Sequence, residues 1–198
     1  MVPPAIVVAW ILARRRFPGK VILETIVSLP LVLPPVATGL ILLRLLGRRG
    51  PLGAMLASGG IDVVFTWKAV VLAMAIMGFP LVVRTARAGF EQVTRRYEQV
   101  AETLGAGPAR VFFSISLPLA SRNVLAGALL GFSRALGEFG ATIVVAGSLP
   151  GRTRTLAVAI FGYVETGRDA QAMVLLAVSV VIAFTAVWLS NLLVKGQS

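Results

Sequence analysis

"VAETLGAGPARVFFSISLPL", residues 100–119, places a polar helix end, a glycine–proline break and a second short apolar segment inside a chain that is otherwise strongly hydrophobic. Just upstream, Phe90, Val93, Tyr97, Val100, Ala101 and Leu104 recur at helical spacing, and Glu91, Arg95, Arg96, Glu98 and Glu102 fall largely on the other side. Residues 91–104 therefore read as an amphipathic helix. Gly105 is placed to end it in the left-handed conformation, and Pro108 suits the first position of a new helix, where its missing N–H would be unpaired anyway. The insert reads as a helix–turn–helix lying against the mouth of a membrane domain, and a plain interfacial helix has the same pattern.

The surroundings support a bilayer setting. Of 198 residues 57% are hydrophobic and 14% charged, with a mean hydropathy of +0.89, against roughly 45–50% apolar content in soluble domains. The chain has no Cys and no His, which removes thiolate chemistry, disulfides and the commonest acid–base group and metal ligand. No catalytic residue, metal site or cofactor is expected. A net charge of +11 would suit nucleic acid only if it gathered on one accessible face. The basic residues instead separate apolar runs, as Lys and Arg do in cytoplasmic loops, so no nucleic acid partner is expected.

Five apolar segments stand out: about 2–13, 22–46, 67–90, 123–146 and 171–194. The last four have 24 or 25 residues each, enough to cross a hydrocarbon core of about 30 Å. The first has twelve, with no basic run before it. It is expected to be the C-terminal half of a span whose start lies outside this chain. The fold class is all-α: a polytopic transmembrane protein of about five spans, the first truncated, forming one membrane domain over residues 1–198. Placing "RRRFPGK" (14–20) on the cytoplasmic side puts the 91–120 insert there too, and it leaves eleven Lys and Arg inside against seven outside.

Two spans carry unusual residues. "SLPLVLPPVATG" (28–39) sets Pro30, Pro34 and Pro35 in one apolar run, which removes three backbone donors and invites kinks. The run suits either a kinked packing helix or the lining of a path, since freed carbonyls at membrane depth need protein or a water-lined cavity to cover them. In "NVLAGALLGFSRALGEFGATIVVAG" (123–147), Gly127 and Gly131 form a GxxxG pair that favours close helix approach. Arg134 and Glu138 stand at i,i+4 spacing in the same apolar run, where an unpaired charge costs at least about 2.5–3.5 kcal/mol. They read either as a self-neutralising pair holding helices together or as a gate or polar lining.

Gln99-Val100-Ala101, then Gly105, Ile115 and Leu117-Pro118, keep the spacing EAA-x3-G-x9-I-x-LP. The stretch resembles the EAA loop of membrane subunits of binding-protein-dependent ABC importers. Gln99 and Val100 depart from the family's usual Glu and Ala, and Glu98 lies beside the expected acid. "RRFPGK", "LPLVLPPVATGLILL", "TLGAGPARVFFSISLPL", "RALGEFGATIVVAG" and "TRTL" extend the likeness over nearly the whole chain. They resemble most the molybdate permease branch, with Phe139 and Ala141-Thr142 favouring molybdate or tungstate over sulfate or thiosulfate. The resemblance implies a multi-pass subunit of the inner cell membrane that works as a homodimer by alternating access. An external oxyanion-binding protein would feed it, and two ABC ATPase subunits would bind ATP and drive it from the cytoplasm. On that basis Glu98, Gln99, Val100, Ala101, Gly105, Ile115, Leu117 and Pro118 are the candidates for ATPase coupling. Pro34, Pro35, Arg134, Glu138 and Thr142 are the candidates for the translocation path or its gate. This chain lacks a GxxxxGK[ST] phosphate loop. Two other readings are a sulfate or thiosulfate permease of the same family and, in a different class, a secondary transporter or channel whose 91–118 insert is only an interfacial hairpin.

Overall fold

The computed structural model describes residues 1–195, and every regular element within them is helical. In chain order these are α1 (Val2–Arg14), α2 (Lys20–Val32), α3 (Pro35–Leu46), α4 (Pro51–Ser58), α5 (Trp67–Gln92), α6 (Arg95–Thr103), α7 (Pro108–Val111), α8 (Leu117–Leu136), α9 (Gly140–Ala146), α10 (Leu156–Glu165) and α11 (Asp169–Lys195). A π-helical turn, Phe112–Ser116, joins α7 to α8 without interruption.

Among the described residues three helices are long and apolar enough to cross a membrane: Trp67–Gln92, Pro108–Leu136 and Asp169–Val194. The expected segments 67–90 and 171–194 fall within the first and last of these. The segment 22–46 differs from a single helix, because α2 and α3 are bent by 113° at Leu33-Pro34. A residue before proline is pushed out of the helical region, and Pro34 is itself followed by Pro35, so its ψ is an extended 131°. Pro35 then opens α3, whose first amides bond to the Pro34 carbonyl.

The segment 123–146 also differs from expectation, at both ends. The long helix begins at Pro108, so the second half of the insert is the start of a span and not a separate short helix. The π turn lies where the ring of Pro118 would clash with the Ser114 carbonyl of a regular helix, and the wider turn absorbs the conflict. At the far end α8 stops at Leu136, and Gly137, Glu138 and Phe139 link it to the separate α9. Gly137 is a poor helix former, and the Glu138 carboxylate accepts a hydrogen bond from the Ala141 amide, which gives the backbone an alternative to continuing the helix. The stretches between the expected apolar segments, 47–66 and 147–170, carry short helices of their own, α4 and α10, the second capped by the Thr155 hydroxyl.

The chain divides into two compact units. One comprises Met1–Val27, Phe79–Gly131 and the chain from Ala186 on. Its core sets Ala5, Ala9 and Leu12 of α1 against Val82, Val83, Ala86 and Phe90 of α5 and Ala120 and Val124 of α8. Small residues on α1 bring backbones close, and a Cβ on Gly127 would sit 3.0 Å from the Thr85 Cβ, so the expected GxxxG position does serve close α5–α8 packing. The Ser190 hydroxyl of α11 donates to the Ala126 carbonyl of α8. The other unit comprises Ser28–Gly78 and Phe132–Thr185. Its core joins Leu42 of α3, Ala69, Ala73 and Met77 of α5, and Ala141, Val145 and Ala146 of α9. Here α3 and α9 touch backbone to backbone: a Cβ on Gly39 would come within 2.8 Å of Ala141, and one on Gly140 within 2.8 Å of Pro35.

Candidate functional site

The insert is built around α6, and its sidedness is the reverse of what an isolated amphipathic helix adopts. Phe90 and Val93 at its root are buried. Beyond them the apolar face points outward: Val100 is 51% and Leu104 81% exposed. Tyr97, Val100, Leu104, Ile115, Pro118 and Leu119 line an open apolar groove of about 650 Å³.

The polar face turns toward the chain's own first helix. The Arg14 guanidinium donates to Glu98 Oε1 at 3.0 Å through Nε and lies 2.9 Å from it through Nη2, while Nη2 also donates to the Val93 carbonyl. The Ser116 hydroxyl donates to the same Glu98 oxygen at 2.6 Å, and Arg95 donates to the Arg14 carbonyl. The Arg14 and Glu98 side chains are 8% and 13% exposed. Glu98, expected as a possible ATPase contact, therefore faces inward. Gln99 is exposed and borders the polar cavity beside the pair.

Four of the expected coupling residues, Val100, Ala101, Ile115 and Pro118, are gathered on the apolar groove. Leu117 packs against the core of its unit. Gly105 makes the turn, with φ +84°, and the Ala106 amide reaches back to the Ala101 carbonyl. A Cβ at Gly105 would meet nothing within 4 Å, so only its backbone conformation demands glycine.

The expected path residues form a second constellation, in the other unit. Arg134 Nη1 lies 2.8 Å from Glu138 Oε2, and Glu138 Oε1 accepts from the Ala141 amide at 2.8 Å. Glu138 is almost wholly buried. Thr142 is fully buried and its hydroxyl donates to the Glu138 and Phe139 carbonyls, so it packs and presents no group to a passing anion. The Phe139 ring rests on Phe161, with centroids 4.9 Å apart. Pro34 is exposed at the α2–α3 bend, and Pro35 packs against Gly140.

Sequence reasoning missed Arg14, Ser116 and a further network in which Arg87 binds Glu24 and Glu91, each at 2.7 Å. The signal for the last was present: Glu24 in one apolar run and Arg87 in another are opposite charges seeking partners across helices. Among the described residues no group of His, Cys, Asp and Glu gathers in a way that could hold a metal.

The Escherichia coli (strain K12) molybdenum transport system permease protein ModB is 45% identical to this chain over 98% of its length and 85% of the relative's. The sulfate transport system permease protein CysT of the same organism is 39% identical, over 91% of this chain and 66% of the relative. In structure, the chain resembles a bacterial alginate ABC transporter crystallised with an alginate-bound periplasmic protein, with a TM-score of 0.70 at 16% identity, covering 96% of this chain and 70% of that one. Residues 5–197 match the family model described as the binding-protein-dependent transport system inner membrane component. This chain is an inner-membrane permease subunit and belongs to that family.

Proposed function

We propose that this chain forms the translocation path of an ATP-driven molybdate importer, working as a homodimer with two ATPase subunits in the cytoplasm and an external oxyanion-binding protein. The observation that carries the substrate is the likeness to the molybdenum permease, which exceeds that to the sulfate permease of the same organism in identity and in the share of both chains covered. The apolar groove on α6 supports the ATPase partner. An exposed apolar patch ringed by polar residues marks a protein contact, and here it lies on the residues that keep the importer spacing. The chain itself offers little with which to select an anion: Arg134 is engaged by Glu138 and the Thr142 hydroxyl is spent on backbone carbonyls. Selectivity is therefore assigned to the external binding protein.

Uptake of labelled molybdate by cells that express the chain with its partner subunits tests the reading. Uptake should require ATP and be competed by tungstate, and sulfate in large excess should leave it unchanged. Competition by sulfate would move the chain to the sulfate branch, and uptake that persists without the ATPase would favour a secondary transporter. In the same preparation Leu104→Asp should abolish ATPase copurification while leaving the permease in the membrane, because it puts a charge at the rim of the groove.

A further inference from the structure

An amphipathic helix is ordinarily held to its own protein by its apolar face, and α6 is not: its apolar side is bare beyond Val93, and its polar side carries the attachment. That attachment converges on one residue of α1. Arg14 binds Glu98 and the Val93 carbonyl, Ser116 adds a hydrogen bond to the same Glu98 oxygen, and Arg95 closes onto the Arg14 carbonyl. The guanidinium is planar with fixed donor directions, so one Arg14 sets both the position of α6 along its axis, through Val93, and its rotation, through Glu98. Arg14 lies in the last turn of α1, where the helix dipole favours a cation. The same helix is locked by Ala5, Ala9 and Leu12 into the core with α5 and α8.

We propose that Arg14 is a positioning residue for energy coupling: through Glu98 and Val93 it transmits displacement of α6 to α1, and hence to the helices packed on α1. This rests on the reading of the insert as the ATPase-docking element. Gripping the groove and passing the motion on are then separate tasks, done by opposite faces of one short helix.

The test uses the complete complex in proteoliposomes with the binding protein, measuring ATPase affinity, ATP hydrolysis and molybdate uptake. Arg14 lines no part of the groove, and the Gly105 turn that joins the groove's two sides is kept in Arg14→Ala, so ATPase affinity should stay within about twofold. Uptake per ATP hydrolysed should fall by about tenfold or more, because one side chain of a largely buried pair is removed. Arg14→Lys keeps the charge but cannot bridge Glu98 and Val93 in one geometry, and it should fall between the wild type and Arg14→Ala. Glu98→Gln added to Arg14→Ala should cost nothing further, as both act through one contact. A spin label at Thr103→Cys, in a chain without native cysteine, should gain mobility in both Arg14 variants. Unchanged uptake per ATP in Arg14→Ala, additive losses in the double variant, or a loss of ATPase affinity equal to the loss of uptake would each overturn the proposal. Failure of the underlying reading looks different: the wild-type chain would not bind the ATPase, or Leu104→Asp would leave it bound.

Discussion

Arg134 and Glu138 meet at 2.8 Å across a break in the helix and not along one. α8 ends at Leu136, and Glu138 hangs in the link to α9 with its second oxygen on the Ala141 amide. The pair is also asymmetric, since the Glu138 side chain is 2% exposed and the Arg134 side chain 29%. Arg134 is not enclosed by its own chain on every side, whereas Glu138 is.

Arg134→Leu should accordingly be the more damaging single change, costing about 3–5 kcal/mol by stranding a buried carboxylate. Glu138→Gln should be milder, because its amide oxygen still accepts from the Ala141 amide and, although the amide nitrogen cannot accept from Arg134, no charge is left in the buried position. Combined with Arg134→Leu it should restore most of the lost thermal stability, measured on the purified protein in detergent. Equal losses in the two single variants would count against a buried pair.

The Arg48–Asp62 pair, between α3 and α5, is of a different kind. Two hydrogen bonds from Arg48, at 2.9 and 2.7 Å, hold the Asp62 carboxyl below its ordinary range, and both groups are solvent-exposed. A carboxyl lowered by folding adds stability above the unfolded value of about 3.9, which is lost as pH falls through the folded value. The melting temperatures of the wild type and Asp62→Asn should therefore differ most at neutral pH, converge in added salt, and coincide once acid has protonated Asp62. The neutral-pH difference itself should be small, as it is for exposed pairs.

The extent to which the sequence foretold these sites follows from the range of the interactions involved. The bend at Pro34-Pro35 and the turn at Gly105 were legible because proline and glycine act on their own backbone. The Arg134–Glu138 contact was legible from spacing, but the break beneath it was not, since it depends on Glu138 preferring the Ala141 amide to another helical turn. The facing of α6 was illegible for a different reason. Periodicity separates an apolar from a polar side, but which side meets the protein was decided by Arg14, 84 residues away from Glu98. The burial of Thr142, a path candidate by resemblance, was likewise not legible, since it depends on the packing of α9 against α3.

Sidedness is open to labelling, helped by the absence of native cysteine. Ser58, Thr94 and Glu165 are all exposed, and Thr94 makes no side-chain cap to α6 that a substitution would break. In sealed, right-side-out cells an impermeant thiol reagent should modify Ser58→Cys and Glu165→Cys and spare Thr94→Cys. Modification of Thr94→Cys from outside would place the groove on the wrong side for a cytoplasmic ATPase.

The turn between α6 and α7 allows a backbone requirement to be tested apart from packing. Gly105 and Gly107 both have open space where a Cβ would go, but only Gly105 has a positive φ, +84° against −69° at Gly107. Valine at either position adds the same side chain to the same loop, so any difference between the two isolates the cost of the left-handed conformation. That cost is roughly 1–2 kcal/mol for a non-glycine residue, and more for a β-branched one. It is enough to reshape a turn whose closure rests on the Gly105 and Ala106 amides bonding to the carbonyls of Glu102 and Ala101. Reshaping would move α6 and its apolar face relative to Ile115 and Pro118 across the groove. The long apolar helices do not pass through the turn, so insertion should be unaffected. Gly105→Val should therefore reach the membrane at normal levels yet lose ATPase copurification and molybdate uptake, while Gly107→Val retains both. If Gly105→Val keeps its ATPase and transports normally, the apolar groove is not the coupling surface.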